Sequence, residues 1–437
     1  MRTTLQMWLL LRRRDAGRSD PQRLTGVLAV VAFAVTTAVA LLVLGGFQAF
    51  AERAASAPAD DYDAGFYVLL AGTASGLLLI PLATLGGAAS RLAVARRDER
   101  LAALRLAGGT TSQVSTLALL DSTAQAALGA VIGAVAYFGL IPLVLPVTFQ
   151  RQPFSYAELV LPWWALPAAV LAVVLVALVS AAASLRRVAI TPLGVAARTT
   201  PPGLHWTRVL PALLVGGAFV VLWNTGQAPV IVLILLLLGG LAVVNMVGPW
   251  LMGVVGRVAV KRAKDATQLI AARRLLDAPK TAWRSVGGVA LATFVASMTA
   301  AAAMFAGMEG ADTMMADIGT GGQLTLVIAA VVAATSTGVM QAGRIIDQRA
   351  EYRALHLAGT DVALMDRARL REVAVPLVAA VLLATAAASV FLVPALGFAL
   401  FTNPAAVGSY LVSVVGACLL VLAGSWASKG VVRTVLA

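Results

Sequence analysis

A chain of 437 residues that is 60% hydrophobic and only 12% charged has too little polar surface to cover a water-exposed fold, since soluble chains are typically about a quarter charged. Its formal net charge of +13 lies in short basic clusters between apolar runs, which reads as membrane topology signalling and argues against nucleic acid as a partner. One cysteine, Cys418, and two isolated histidines, His205 and His356, leave neither an internal disulfide nor a recognisable metal-site spacing.

In chain order, Met1 to Arg14 sets Trp8, Leu9, Leu10 and Leu11 beside basic residues. That suits an interfacial helix on the inner leaflet, or the ragged start of a longer one. Apolar runs of membrane-spanning length follow at 26–50, 66–89, 117–145, 160–184, 209–223, 229–255, 286–308, 322–341, 374–397 and 407–427. The apolar core of the first is too long for a signal-peptide h-region of about 7–15 residues, so it is expected to stay as a helix. Asn224, Gly226 and Pro229 offer a turn that splits 209–255 into a hairpin. None of the runs carries a charge well inside it, which disfavours an ion-coupled carrier.

With the N-terminus placed in the cytoplasm, all but Arg53 and Arg151 of the 33 lysines and arginines fall inside, as the positive-inside rule demands. An even number of spans then leaves both termini cytoplasmic. The outer loops, roughly 51–65, 146–159, 224–228, 309–321 and 398–406, are short, and their charges are mainly acidic: Glu52, Asp60, Asp61, Asp63, Glu158, Glu309, Asp312 and Asp317. The expected fold is an all-α integral membrane protein of about ten transmembrane helices arranged 4+2+4. Its units are a four-helix module over 1–207, a two-helix insert over 208–262 and a second four-helix module over 263–437.

A repeat underlies that division. Residues 103–108 read Ala-Leu-Arg-Leu-Ala-Gly and residues 354–359 read Ala-Leu-His-Leu-Ala-Gly, 251 positions later. The same offset sets Asp121 against Glu372. Each copy is expected to be a short amphipathic helix on the cytoplasmic side, with Leu101 and Leu104, or Tyr352 and Leu355, as apolar i, i+3 pairs. Gly108 and Gly359 suit a helix stop that needs positive φ. Such a helix is either a docking lever for a cytoplasmic partner or an ordinary loop anchor. The two acids either pair with basic residues of that partner or cap the following helices, the cap being the preferred reading. Gly129-x-x-x-Gly133 permits close helix approach, and Pro81, Pro376 and Pro394 are candidate kinks.

The stretch Arg96-Arg97-Asp98-Glu99-Arg100-Leu101-Ala102-Ala103-Leu104-Arg105-Leu106-Ala107-Gly108-Gly109-Thr110 resembles the signature of the FtsX-like, or MacB-like, permease family. Leu185 to Arg198, with Thr191-Pro192-Leu193-Gly194, is similar to the tail that closes that family's four-helix module. The family's acidic position, eight residues before the glycine, is Glu351 in the second copy but Arg100 in the first, with Glu99 beside it. His356 stands where the first copy has Arg105, and the second copy lacks a full closing tail.

The resemblance implies the membrane subunit of an ABC transporter, and no enzyme in its own right. The chain contains no Gly-x-x-x-x-Gly-Lys-[Ser/Thr] around Lys261, Lys264, Lys280 or Lys429, so ATP and Mg would be bound by a separate cytoplasmic P-loop ATPase, two copies per chain. The implied docking residues are Glu99, Arg100, Leu101, Leu104, Arg105, Leu106 and Gly108 in the first copy. In the second they are Glu351, Tyr352, Leu355, His356, Leu357 and Gly359, with Asp121 and Glu372 in support. The expected role is export of an amphipathic or hydrophobic compound, such as an antibiotic, a peptide or a lipid, across a bacterial plasma membrane. The alternative is ATP-driven mechanical signalling to an extracellular partner.

Overall fold

A computed structural model describes residues 21–58, 62–95, 110–189, 206–226, 229–306, 313–397 and 404–429. A backbone surrounded by lipid must satisfy its N–H and C=O groups internally, and long apolar segments do so as helices. The first three are α1 (Pro21–Ala55), α2 (Tyr62–Ala95) and α3 (Thr111–Val144). A small hairpin of β1 (Thr148–Phe149) and β2 (Gln152–Pro153) and a short helix α4 (Tyr156–Leu159) lead into α5 (Ala165–Ala189). A 3₁₀ turn over Trp206–Val209 opens α6 (Leu210–Thr225), which is followed by α7 (Val230–Lys261) and α8 (Ala266–Asp277). The remainder is α9 (Pro279–Ala306), α10 (Thr313–Asp347), α11 (Arg349–Leu357), α12 (Val362–Leu396) and α13 (Pro404–Ala427).

Among the described residues nine helices are long and apolar enough to cross a membrane, which makes this a multi-pass membrane protein. The remaining expected span, 286–308, falls on α9, a helix of 28 residues; its last two positions lie outside the described residues. Gly226, at φ +66°, ends α6 where a turn is expected. Pro81, Pro376 and Pro394 all lie inside helices that continue through them.

One helix start repeats at the interval seen in the sequence: Thr111 opens α3 and Val362 opens α12, 251 residues apart. The packing of the helices repeats too. α1 lies against α2 and α3, as α9 lies against α10 and α12; the two groups meet along α2 and α10. α6 and α7 pack on the second group, where the Trp283 ring of α9 covers Gly248 and its Nε1 donates to Asn245 Oδ1 at 2.9 Å.

The seam between α1 and α3 depends on Gly129 and Gly133. A Cβ on Gly129 would stand 2.6 Å from Phe33 Cβ and 2.7 Å from the Val30 carbonyl, and one on Gly133 would overlap the Ala34 carbonyl. The Gly-x-x-x-Gly pair is thus a contact face between backbones.

Two expectations about the acidic end need correction. The stretch 146–159 is a closed hairpin followed by a capped turn of helix, with Thr148 opposite Pro153 and Phe149 opposite Gln152. Asp317, expected in a solvated loop over 309–321, sits buried inside α10, which begins at Thr313.

Candidate functional site

The basic end of the bundle gathers α8, α10, α11 and α12. α10 stops at Asp347 and, after Gln348, the chain restarts as α11, whose sequence Arg-Ala-Glu-Tyr-Arg-Ala-Leu-His-Leu sets a few apolar residues among charged ones. Tyr352 is buried among Ile345, Ile346 and Met365, with Leu24 and Leu28 of α1 alongside. Tyr352 thus anchors α11 in a cluster that draws on residues of both helix groups. On its other side Arg353, His356 and Leu357 are exposed, Leu357 at 87%. Among the described residues nothing covers Leu357.

The stop after α11 has the expected chemistry. Gly359 adopts φ +85°, its N–H reaching the His356 carbonyl at 2.9 Å, a left-handed residue that closes a helix without Cβ strain. Asp361 then caps α12, its Oδ1 accepting from the Ala363 N–H at 3.2 Å.

That cap settles what Glu372 does not do. It lies in the interior of α12, far beyond the first turn, so the expected helix-cap role is overturned. Asp121 is likewise interior to α3, whose cap is Thr110 in a reciprocal capping box with Gln113. The Glu372 side chain, 7% exposed, instead bonds Arg344 of α10 through one oxygen and Arg274 of α8 through the other, the latter at 3.4 Å. Arg274 is the hub. Its guanidinium also reaches the Tyr352 hydroxyl at 3.5 Å, stands 5.9 Å from that ring's centre and lies 3.6 Å from Glu351. Burial works against its charge, but the Tyr352 hydroxyl and the carboxylates of Glu372 and Glu351 outweigh it and hold the guanidinium more firmly protonated than usual.

A second layer braces the first. Arg371 bonds both oxygens of Asp265 at 2.9 and 3.0 Å, and Asp265 caps α8 through the Gln268 N–H at 2.7 Å. Hydrogen bonds from Thr267, Gln268 and Arg371 lower the Asp265 carboxyl to about 2. Arg369 bonds Asp366 at 3.1 Å and also Ser428 beyond α13. These contacts tie α11 to α8, α10 and α12 through charge-assisted bonds, which are stronger and more directional than neutral ones.

Of the expected docking residues, Glu351, Tyr352, His356 and Leu357 lie on α11 and Gly359 follows its end. Glu99, Arg100, Leu101, Leu104, Arg105, Leu106 and Gly108 lie outside the described residues, as does the side chain of Leu355. Sequence reading missed Arg274 and Arg344 as partners of Glu372 because both counted only as topology signals. One signal was available: the 251-residue offset that aligns Asp121 with Glu372 also aligns Arg23 with Arg274.

A family model described as FtsX-like permease C-terminal matches residues 72–193. The match begins within α2, takes in α3 and α5, and includes Asp121 and the first copy of the repeated motif. It supports the FtsX-like class of membrane permease, a non-enzymatic component of ABC-type systems that normally works with a cytoplasmic ATPase. No curated protein and no solved structure matches the chain.

Proposed function

We propose that the chain is the membrane permease of an ABC transporter, exporting an amphipathic or hydrophobic compound with energy from a separate P-loop ATPase that binds ATP and Mg. In this reading both termini are cytoplasmic, the basic end faces the ATPase in a bacterial plasma membrane, and α11 is one docking helix. The observation that carries it is the construction of α11: Leu357 turned outward, Tyr352 turned inward, and Arg274 with Glu372 joining it to three further helices. A push on Leu357 would reach α10 and α12 without a soft link. The start of α3 and of α12 at a 251-residue interval, with the like packing of the helices around them, supports two modules in one chain, 1–207 and 263–437, around the insert 208–262. Two modules offer two docking helices, and hence two ATPase copies, with the second helix over 97–107.

The test is affinity purification of the full chain from cells that supply its ATPase, followed by mass measurement of the intact complex and assay of ATP hydrolysis. Two ATPase copies per chain are expected. Leu357→Glu and Leu104→Glu should each insert normally and lose coupled hydrolysis. Full activity in both variants would remove the docking role.

A further inference from the structure

The acidic end holds a feature that the network around Glu372 does not use. Between α1, α2, α9 and α10, on the seam where the two helix groups meet, lies a cavity of about 200 Å³. Its wall is apolar and rich in rings, with Phe47, Phe50, Tyr67, Phe149 and Phe154 among its residues. Phe50 sits at the centre of that wall, stacked on Tyr67 and set edge-on to Phe149 and Phe154. Asp317 is the one charged side chain among the described residues that line it.

Asp317 is 9% exposed. A single oxygen, Oδ2, accepts both the Tyr67 hydroxyl at 2.6 Å and the Gln150 backbone N–H at 2.8 Å. No basic side chain among the described residues pairs with it. Arg53, the half-buried cation of this end, is held by Glu158 at 2.8 Å and by the carbonyls of Phe149 and Pro153, both at 3.1 Å. The neighbouring stretches 59–61 and 307–312 contain no lysine or arginine.

A carboxylate inside a membrane-spanning helix is costly without a counter-charge and marks a substrate or ion path. The aromatic wall attracts the same sign of charge through its ring faces. The position of Asp317 is also built. Gln150 and Arg151 close the hairpin at φ 55° and 62°, a conformation costly for residues with a Cβ that persists only where surroundings hold it. Part of that hold is the bond from Gln150 N–H to Asp317.

We infer that this cavity binds a lipophilic monocation, with Asp317 facing the positive centre and the ring wall enclosing the apolar body. The inference rests on the exporter reading and names its class of cargo.

The test uses the full chain purified in detergent and titrated with tetraphenylphosphonium or tetraphenylborate, two bodies of four phenyl rings with opposite charge. Empty micelles serve as the blank. Saturable binding of one phosphonium per chain is expected, with the borate at least tenfold weaker. Asp317→Asn keeps an oxygen for Tyr67 and Gln150 while removing the charge, and should weaken phosphonium binding at least tenfold. Gly46→Leu gives an independent variant: an added Cβ there meets nothing within 4 Å, so the side chain can fill the cavity and should abolish binding in a folded protein. Absent saturable phosphonium binding, equal affinity for both ions, or full affinity in Asp317→Asn would overturn the assignment and leave Asp317 as the pin of the hairpin. Binding needs no ATPase, so the two readings fail separately. Charge-dependent binding with no ATPase recovered keeps the cavity and removes the ABC assignment, whereas a recovered ATPase with no cation selectivity does the reverse.

Discussion

Thr111 opens α3 and Val362 opens α12, 251 residues apart, yet the two helix groups carry different side chains at corresponding positions of those helices. In the first, α3 reaches α1 through Gly129 and Gly133, where backbone meets backbone. The positions 251 residues on are Ala380 and Ala384 in α12, both fully buried, so the second seam is separated by methyl groups. At the basic end of the second group a buried carboxylate lies between two arginines. Backbone contact closes the first seam, and methyl groups stand at the corresponding positions of the second group. A repeat conserves the path of the chain more strictly than the chemistry of its contacts.

The largest expected effect comes from breaking the charged side of this contrast. Glu372→Ala leaves Arg344 without its carboxylate and Arg274 with Glu351 alone, and removing one partner of a buried pair costs about 3 kcal/mol. A lowered unfolding midpoint in detergent, together with loss of coupled ATP hydrolysis, is the expected result; an unchanged midpoint would show that the network adds nothing to the fold. Next, Gly133→Ala forces a methyl group into the Ala34 carbonyl, an overpacking cost of about 2 kcal/mol. The same denaturation measurement reads it. The converse substitution, Ala384→Gly, carries only the helix-propensity cost of about 1 kcal/mol if the second seam stays where it is. A penalty as large as that of Gly133→Ala would mean that both seams are equally tight.

The smallest effect is one of pH. Asp265 is held at about 2, below its ordinary 3.8, by Thr267, Gln268 and Arg371. A carboxyl lowered on folding stabilises the folded chain above its unfolded value and loses that contribution as pH falls toward the folded one. The difference in melting temperature between wild type and Asp265→Asn should therefore be constant down to about pH 4 and vanish toward about pH 2. A difference that persists at the acid limit would assign the effect to the amide itself.

Much of this was legible in the residues. Apolar runs mark the spans because each must match the thickness of a bilayer, and every expected run falls on a helix. Gly359 reads as a helix stop because few other residues tolerate positive φ. The repeat of Ala-Leu-x-Leu-Ala-Gly led to α11 at its expected place. Glu372 was misread because its position near a span's start looks like a cap, and only the length of α12 shows that the helix begins at Asp361. Asp317 was misplaced for a related reason: a charge close to an apolar run ends the run in sequence, while the helix extends beyond it.

What the sequence alone determined about this protein is its solvent, the number and place of its long apolar segments, and the interval at which one half echoes the other. These are properties of single segments, set by hydropathy and local backbone preference. The tertiary structure decided which charges meet. Arg274, Glu351, Tyr352, Arg344 and Glu372 come from four helices, and Asp317, Tyr67 and Gln150 from three parts of the chain. Pairing at such separations depends on how helices pack and rotate about their axes, which no local pattern encodes.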